Sequence, residues 1–154
     1  MDDTARTGWF HRGKKQLTDS QIFENLTRCI FQAGLNWNMV AKKWPAFTAG
    51  LDGFDVVKVA GYGAYDINRL MNDPGIIRNR AKVLATIHNA REFERLRGEE
   101  GGFPKWLAAQ DKSNNCGGLI RMMGARFKFV GPTTGAIFLY SIGEDVVCRG
   151  WKPG

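Results

Sequence analysis

Apolar residues recur at helical spacing along most of the chain, and no segment shows the sustained period-two alternation of a half-buried strand or an Asn-Gly or Asp-Gly hairpin signal. An all-α fold follows. From about residue 19 to 33, Ile22, Phe23, Leu26, Cys29, Ile30 and Ala33 keep one face apolar, with Asp19 or Ser20 ahead as cap and Gly34 as the stop. A second helix is expected from Asn36 through Trp37, Val40, Ala41 and Trp44, with Pro45 kinking it or marking a boundary. Two short helical segments, "DGFDVVKVAG" and "YDINRLMN", precede a Pro-Gly turn that opens a long helix ending near Gly98. Beyond it, "FPKWLAAQ" reads as one short helix in a glycine-rich, mobile surface neighbourhood, and a last helix pair frames "RFKFVGPTTGAIFLYSIG".

Length adds that 154 residues make a single domain, 1–154, able to bury a core without staples. No apolar run approaches the length of a membrane span, and "MDDTARTGWFHRGKKQ" lacks the apolar core of a secretory signal, so a cytoplasmic protein is expected. Three widely spaced cysteines without a CxxC, Cys29, Cys116 and Cys148, fit neither a disulfide framework nor a metal knuckle. Net charge changes the picture more. At +7, with an isoelectric point near 9.6, the chain favours a polyanion as partner.

The strongest local pattern is "LMNDPGIIRNRAK", residues 70 to 82. A helix, a Pro-Gly turn, an Ile after the glycine and a small residue six positions on describe a helix-hairpin-helix, spanning about 65–97. Glycine permits close approach to a phosphate, and the amides of Gly75 and Ile77 at the next helix's N-terminus would donate to it, with Arg78, Arg80 and Lys82 adding charge. Such contacts hold DNA without reading sequence. The same residues also fit a plain helix-start turn with solvated arginines.

The corner "FQAGLNWN" raises a separate question, because a leucine and a tryptophan gain nothing in a turn that only reverses the chain. They fit the core between two packed helices, or a role beyond turning the chain. No Ser-His-Asp arrangement, HExxH or P-loop is present, no lysine nucleophile is evident, and His11 and His88 read as ordinary surface or helix residues.

Taken together, "FEN", "QAGLNW", "FDVVKVA", "PGIIRNRAKVLATIHNARE" and "FKFVGPTT" resemble, in order and spacing, the bacterial DNA-3-methyladenine glycosylase I family over roughly residues 20 to 150. The resemblance implies a compact two-lobed helical bundle of the helix-hairpin-helix glycosylase type. Its implied activity is to flip an alkylated purine, 3-methyladenine above all, out of duplex DNA and hydrolyse its N-glycosidic bond in base-excision repair. Gly34 and Leu35 would form the wedge; Trp37, Cys29, Gln32, Trp9 and Phe10 the base pocket. Thr133 and Thr134, after "VGP", would add a second phosphate contact. A monomer is implied.

The chain departs from that pattern at three places. Where the family has a glutamate that hydrogen-bonds the base, eight residues before the tryptophan, this chain has Cys29, so the catalytic residue is unknown; Glu24 matches a different family acid, too far away to substitute. The N-terminal segment, residues 1–18, is shortened and altered to "TGWFHRG" around Trp9 and Phe10. The family ties its ends with zinc, but here no cysteine precedes Cys29, Asp145 stands where a His is expected, and Cys148 is one position out. A tetrahedral site needs four suitable ligands, so no zinc and no other cofactor is expected, with Trp9, Phe10 and Trp151 holding the ends. A catalytically inactive or substrate-switched DNA-binding protein on the same scaffold is the alternative.

Overall fold

A computed structural model describes residues 7–13 and 16–148, and every regular element among them is helical. The helices are α1 (Asp19–Gln32), α2 (Trp37–Gly50), α3 (Val56–Ala60), α4 (Ala64–Met71), α5 (Arg80–Glu100), α6 (Phe103–Ala108), α7 (Ser113–Arg126) and α8 (Pro132–Ser141), with a short 3-10 turn, Asp52–Phe54, after α2. No helix is long and apolar enough to cross a membrane among the described residues.

Local chemistry sets these ends. Thr18, rather than Asp19 or Ser20, caps α1: its hydroxyl accepts from the Gln21 amide at 3.1 Å while the Gln21 side chain accepts from the Thr18 amide at 2.9 Å. Asp19 is used elsewhere, accepting from the Phe103 amide at 3.1 Å and so pinning the start of α6 to α1. Pro45 neither ends nor splits α2, which runs on to Gly50. Proline removes one intrahelical hydrogen bond, but Trp44 and Phe47 on either side of it are buried, and that packing outweighs the loss.

Helix α5 corrects the sequence reading at both ends. It starts at Arg80, not at the Pro-Gly turn, because extended Asn79 caps it by accepting from the Lys82 amide. Its far end passes through Gly98 to Glu100, where Gly101 in the left-handed region closes it at φ 84°. On the N-terminal side of α6 the chain is helical through Glu99 and Glu100 of α5, while on the other side Asn114, Asn115 and Cys116 at the opening of α7 take left-handed φ of 55°, 54° and 60°, which kinks it there.

One apolar core runs through all these elements, with Phe23, Phe31, Phe47, Phe54, Phe93, Phe103 and Phe138 each under 2 % exposed. Their rings stack or meet edge-on in a chain: Trp44 over Phe47 and Phe54, Phe93 over Phe103, Phe103 edge-on to Phe138. Helix α5 is the hub, packed by α3, α1, α6 and α4. The segment 7–13 docks on the end of α8: the His11 amide donates to Ser141 O at 2.7 Å, Phe10 meets Tyr140 edge-on, and Arg12 lies 3.8 Å from the Tyr140 ring centroid. Trp151 lies outside the described residues.

Candidate functional site

The corner between α1 and α2 is a type II turn, with Ala33 at φ −59°, ψ 121°, Gly34 at φ 75°, and the Leu35 amide donating to Gln32 O at 3.0 Å. A Cβ at Gly34 would meet nothing within 4 Å, so the glycine is there for its backbone conformation alone. Asn36 then caps α2, accepting from the Asn38 and Met39 amides at 2.8 and 3.2 Å. The turn leaves Leu35 37 % exposed at the tip. Such exposure suits a wedge better than a core position.

Behind the tip, Trp37 is half-buried and its ring centroid lies 6.2 Å from that of Trp9. Of the two N-terminal aromatics, then, Trp9 joins the corner; Phe10 packs on Trp9 and Tyr140 at the α8 end. Cys29 is 3 % exposed, and burial pushes its thiol well above the usual range, so it stays neutral and makes a poor donor. Gln32 is 1 % exposed, yet neither Oε1 nor Nε2 has a hydrogen-bond partner. Leaving a buried polar group unmet costs about 1–3 kcal/mol. A buried amide with both ends open is what a site awaiting a ligand would show.

Sequence reasoning overlooked Arg28. It is 7 % exposed, and its guanidinium carbon sits 5.0 Å from the Trp9 ring centroid and 5.2 Å from that of Trp44. Glu24, one turn earlier, accepts from Trp44 Nε1 at 2.9 Å and faces the same guanidinium. Burial lowers the Arg28 pKa to about 10, which still leaves it a cation at neutral pH. Its only sequence signal was a charge next to the apolar stripe of α1, indistinguishable there from a solvated one.

The helix-hairpin-helix element places its residues differently from expectation. Gly75 and Ile77 lie in the hairpin 72–79, before α5, so neither amide belongs to a helix N-terminus. The Gly75 amide donates instead to Asp73 Oδ1 at 2.8 Å. Glycine is required there for packing, since a Cβ would lie 2.7 Å from that of Ala46 on α2. Lys43 Nζ donates to Pro74 O at 3.4 Å, tying hairpin and α2 further. Arg78 and Arg80 are exposed on the hairpin and the first turn of α5. Lys82 reaches the other way, its Nζ 3.5 Å from Phe31 O in the last turn of α1, where a cation favours the helix dipole. It therefore links the hairpin helix to the corner that carries Leu35.

Thr133 and Thr134 occupy the first turn of α8, Thr133 exposed and Thr134 half-buried. The loop before them is held on α5 by buried Asn89, which accepts from the Lys128 amide at 2.8 Å and donates to Lys128 O at 3.3 Å, and by His88, whose Nε2 lies 3.1 Å from Arg126 O. His88 is thus a structural tether. A cleft of about 460 Å³ beside Thr133 also takes in Asn114, Asn115 and Arg121, a cation with no sequence signal for pairing with this loop.

Asp145 forms an ion pair with Arg12 at 3.7 Å, Cys148 is buried, and no group of three or more His, Cys, Asp or Glu capable of holding a metal occurs among the described residues.

Residues 9–123 match the sequence model of the methyladenine glycosylase family, taking in the corner, the hairpin and α5. The chain belongs to this family. The Escherichia coli protein named DNA-3-methyladenine glycosylase 1 is 44 % identical over 88 residues, 56 % of this chain and 46 % of that protein. The chain spans about half the length of the curated relatives it matches. Among solved structures, a solution structure of a 3-methyladenine DNA glycosylase I that concerns alkylated-base recognition superposes with a TM-score of 0.72 and 29 % identity, covering 98 % of this chain and 91 % of that one. A Staphylococcus aureus 3-methyladenine DNA glycosylase I superposes with a TM-score of 0.76 and 25 % identity, covering 91 % and 83 %. The all-helical, glycosylase-type fold expected from the sequence is the fold observed.

Proposed function

We propose that this chain is a DNA repair glycosylase that binds duplex DNA, turns a damaged purine out of the stack and hydrolyses its N-glycosidic bond, with 3-methyladenine as the base its family membership implies. The observation that carries the reading is the corner: an exposed Leu35 on a type II turn, with Trp37 two residues on meeting Trp9 edge-on, their ring centroids 6.2 Å apart. Leu35 fills the gap left in the duplex and offsets lost base stacking. Trp37 and Trp9 supply aromatic faces for the extruded base, and the open amide of Gln32 can donate to and accept from its edge.

Little chemistry is then asked of the protein. A purine alkylated on a ring nitrogen in DNA is cationic, so it leaves readily once positioned, and a water molecule completes the cleavage at C1′. Phosphate contacts fall to exposed Arg78 and Arg80, the hairpin around Gly75 and Ile77, and Thr133 with Thr134 at α8. Lys82 acts in this scheme by coupling hairpin to corner. We further propose that the protein works as a monomer without zinc, its N-terminal segment held on α8 by His11, Phe10 and Arg12.

The test is release of free bases from methylated duplex DNA by the purified chain, resolved by chromatography, beside Trp37→Ala. Release that the substitution reduces by about fivefold or more supports the reading, since base–aromatic stacking is worth about 1–3 kcal/mol. Equal release by both proteins removes Trp37 from the pocket. Metal analysis of the same sample tests the zinc-free expectation, and about one zinc per chain would overturn it.

A further inference from the structure

Among the described residues, phenylalanine takes the left-handed backbone at Phe54 and Phe129, and the two are held there differently. Phe54, at φ 61°, is fully buried and stacked on Trp44, so core packing compensates its conformation. Phe129, at φ 62°, is 50 % exposed. An L-residue in that region bears a steric cost that glycine escapes, and a ring left half in water recovers little of it. The loop that carries it is firmly mounted. Phe127 and Val130 on either side are buried, and Asn89 of α5 grips the Lys128 backbone between them, accepting from its amide at 2.8 Å and donating to its carbonyl at 3.3 Å. Backbone strain, exposure and a rigid mount together describe a side chain set in advance for a contact outside the chain.

Position and charge identify the contact. Arg80, Leu84 and His88 follow one another at four-residue spacing along α5 and so share a face. Arg80 and Leu84 are exposed, and His88 Nε2 lies 3.1 Å from Arg126 O, just before the loop. The loop therefore lies on the side of α5 that bears Arg80, about 12 Å from it along the helix axis, which is about three to four base steps of a duplex. No Asp or Glu occurs from residue 74 to 91 or from 112 to 143, and Glu92, next along α5, is engaged by Arg126 at 3.3 Å. With Arg80 and Lys128 exposed on this side, the surroundings suit a polyanion and disfavour a second copy of this basic chain.

Resting on the glycosylase reading above, we propose that Phe129 is a DNA-contacting residue, its ring packing on sugar and base edges of the duplex beyond the phosphates held at Arg80. The contact is uncharged. It adds affinity by taking apolar surface out of water, it asks for no particular base, and it releases no counterion. A ring fixed in place by its loop loses little freedom on binding, which is what the strain at Phe129 secures.

The test is equilibrium binding of a fluorescent undamaged duplex, followed by anisotropy over a salt series, for wild type, Phe129→Gly, Phe129→Tyr and Arg80→Ala, with the Tm of each protein. Phe129→Gly is expected to bind at least fivefold more weakly at every salt concentration, with the slope of log K against log salt unchanged and Tm unchanged or higher, because glycine adopts the same φ without strain. Phe129→Tyr keeps the ring and should bind within twofold of wild type. Arg80→Ala should instead lower the slope by about 1. If Phe129→Gly does not fold, Phe129→Asn replaces it, since asparagine also tolerates the left-handed region. A loss below fivefold in Phe129→Gly, a changed slope, or an equal loss in Phe129→Tyr overturns the inference, while the salt-dependent binding of the wild type and the Arg80→Ala slope leave the DNA reading intact. No salt-dependent binding by the wild type overturns both.

Discussion

The hairpin and the base corner lie on either side of Lys82, and they are built on opposite principles. The hairpin is half-buried against α2 and settles its backbone internally: Asp73 takes the Gly75 amide, Asn79 takes the Lys82 amide, and Arg78 and Arg80 are left on the surface. The corner exposes its turn, residues 33–36, while the end of α1 behind it buries an open amide at Gln32 and holds a guanidinium between two indoles. Rigid backbone with outward charge suits holding a phosphate chain of any sequence. A buried amide left open, as at Gln32, suits choosing among bases, because a buried group left without its partner penalises the wrong ligand.

The contrast breaks most sharply at Gly75. Gly75→Ala puts a Cβ 2.7 Å from Ala46 and 3.2 Å from Asp73 Oδ1, which forces the hairpin away from α2. The expected loss is about 1–3 kcal/mol of stability, read by denaturant unfolding, together with weakened DNA binding. Unchanged values would mean that the hairpin is not fixed on α2.

Removing charge alone is gentler. Arg78→Ala and Arg80→Ala should each weaken binding to duplexes of any sequence and lower the slope of log K against log salt by about 1, with the folded stability unmoved. A sequence-dependent loss would contradict a purely phosphate-holding role.

At the corner, Gly34→Ala meets no atom within 4 Å but must hold φ near 75°, so about 1 kcal/mol of stability should go, seen as a lower Tm. The smallest effect concerns Cys29. Burial raises its thiol pKa, so at pH 8 less thiolate is present than on an exposed cysteine, and a thiol reagent should label it only after unfolding. Rapid labelling of the native protein would show that the pocket floor is open to solvent.

Much of this layout is legible in the sequence, and the limits have physical causes. Helical period, the Asn36 cap and the Gly34 stop are local signals, and the structure follows them. Pro45 misleads because its cost is local, whereas the burial of Trp44 and Phe47 that outweighs it is tertiary. The start of α5 is ambiguous because Asp73 and Asn79 are both good cap residues, and only Asn79's acceptance of the Lys82 amide decides between them. Within the corner, Leu35 and Trp37 stand out as apolar residues in a turn. Arg28 does not, since a charge beside an apolar stripe looks solvated until Trp9 and Trp44 are seen to enclose it.

The central claim is that holding DNA and choosing the base are separable tasks of these two regions. The direct measurement is the affinity and the saturating single-turnover release rate on one damaged duplex for wild type, Arg80→Ala and Trp37→Ala. The account predicts that Arg80→Ala raises Kd severalfold with the saturating rate unchanged, and that Trp37→Ala lowers the saturating rate at least tenfold with Kd for undamaged duplex unchanged. If both substitutions move affinity and rate together, the two regions do not divide the work and the account is wrong.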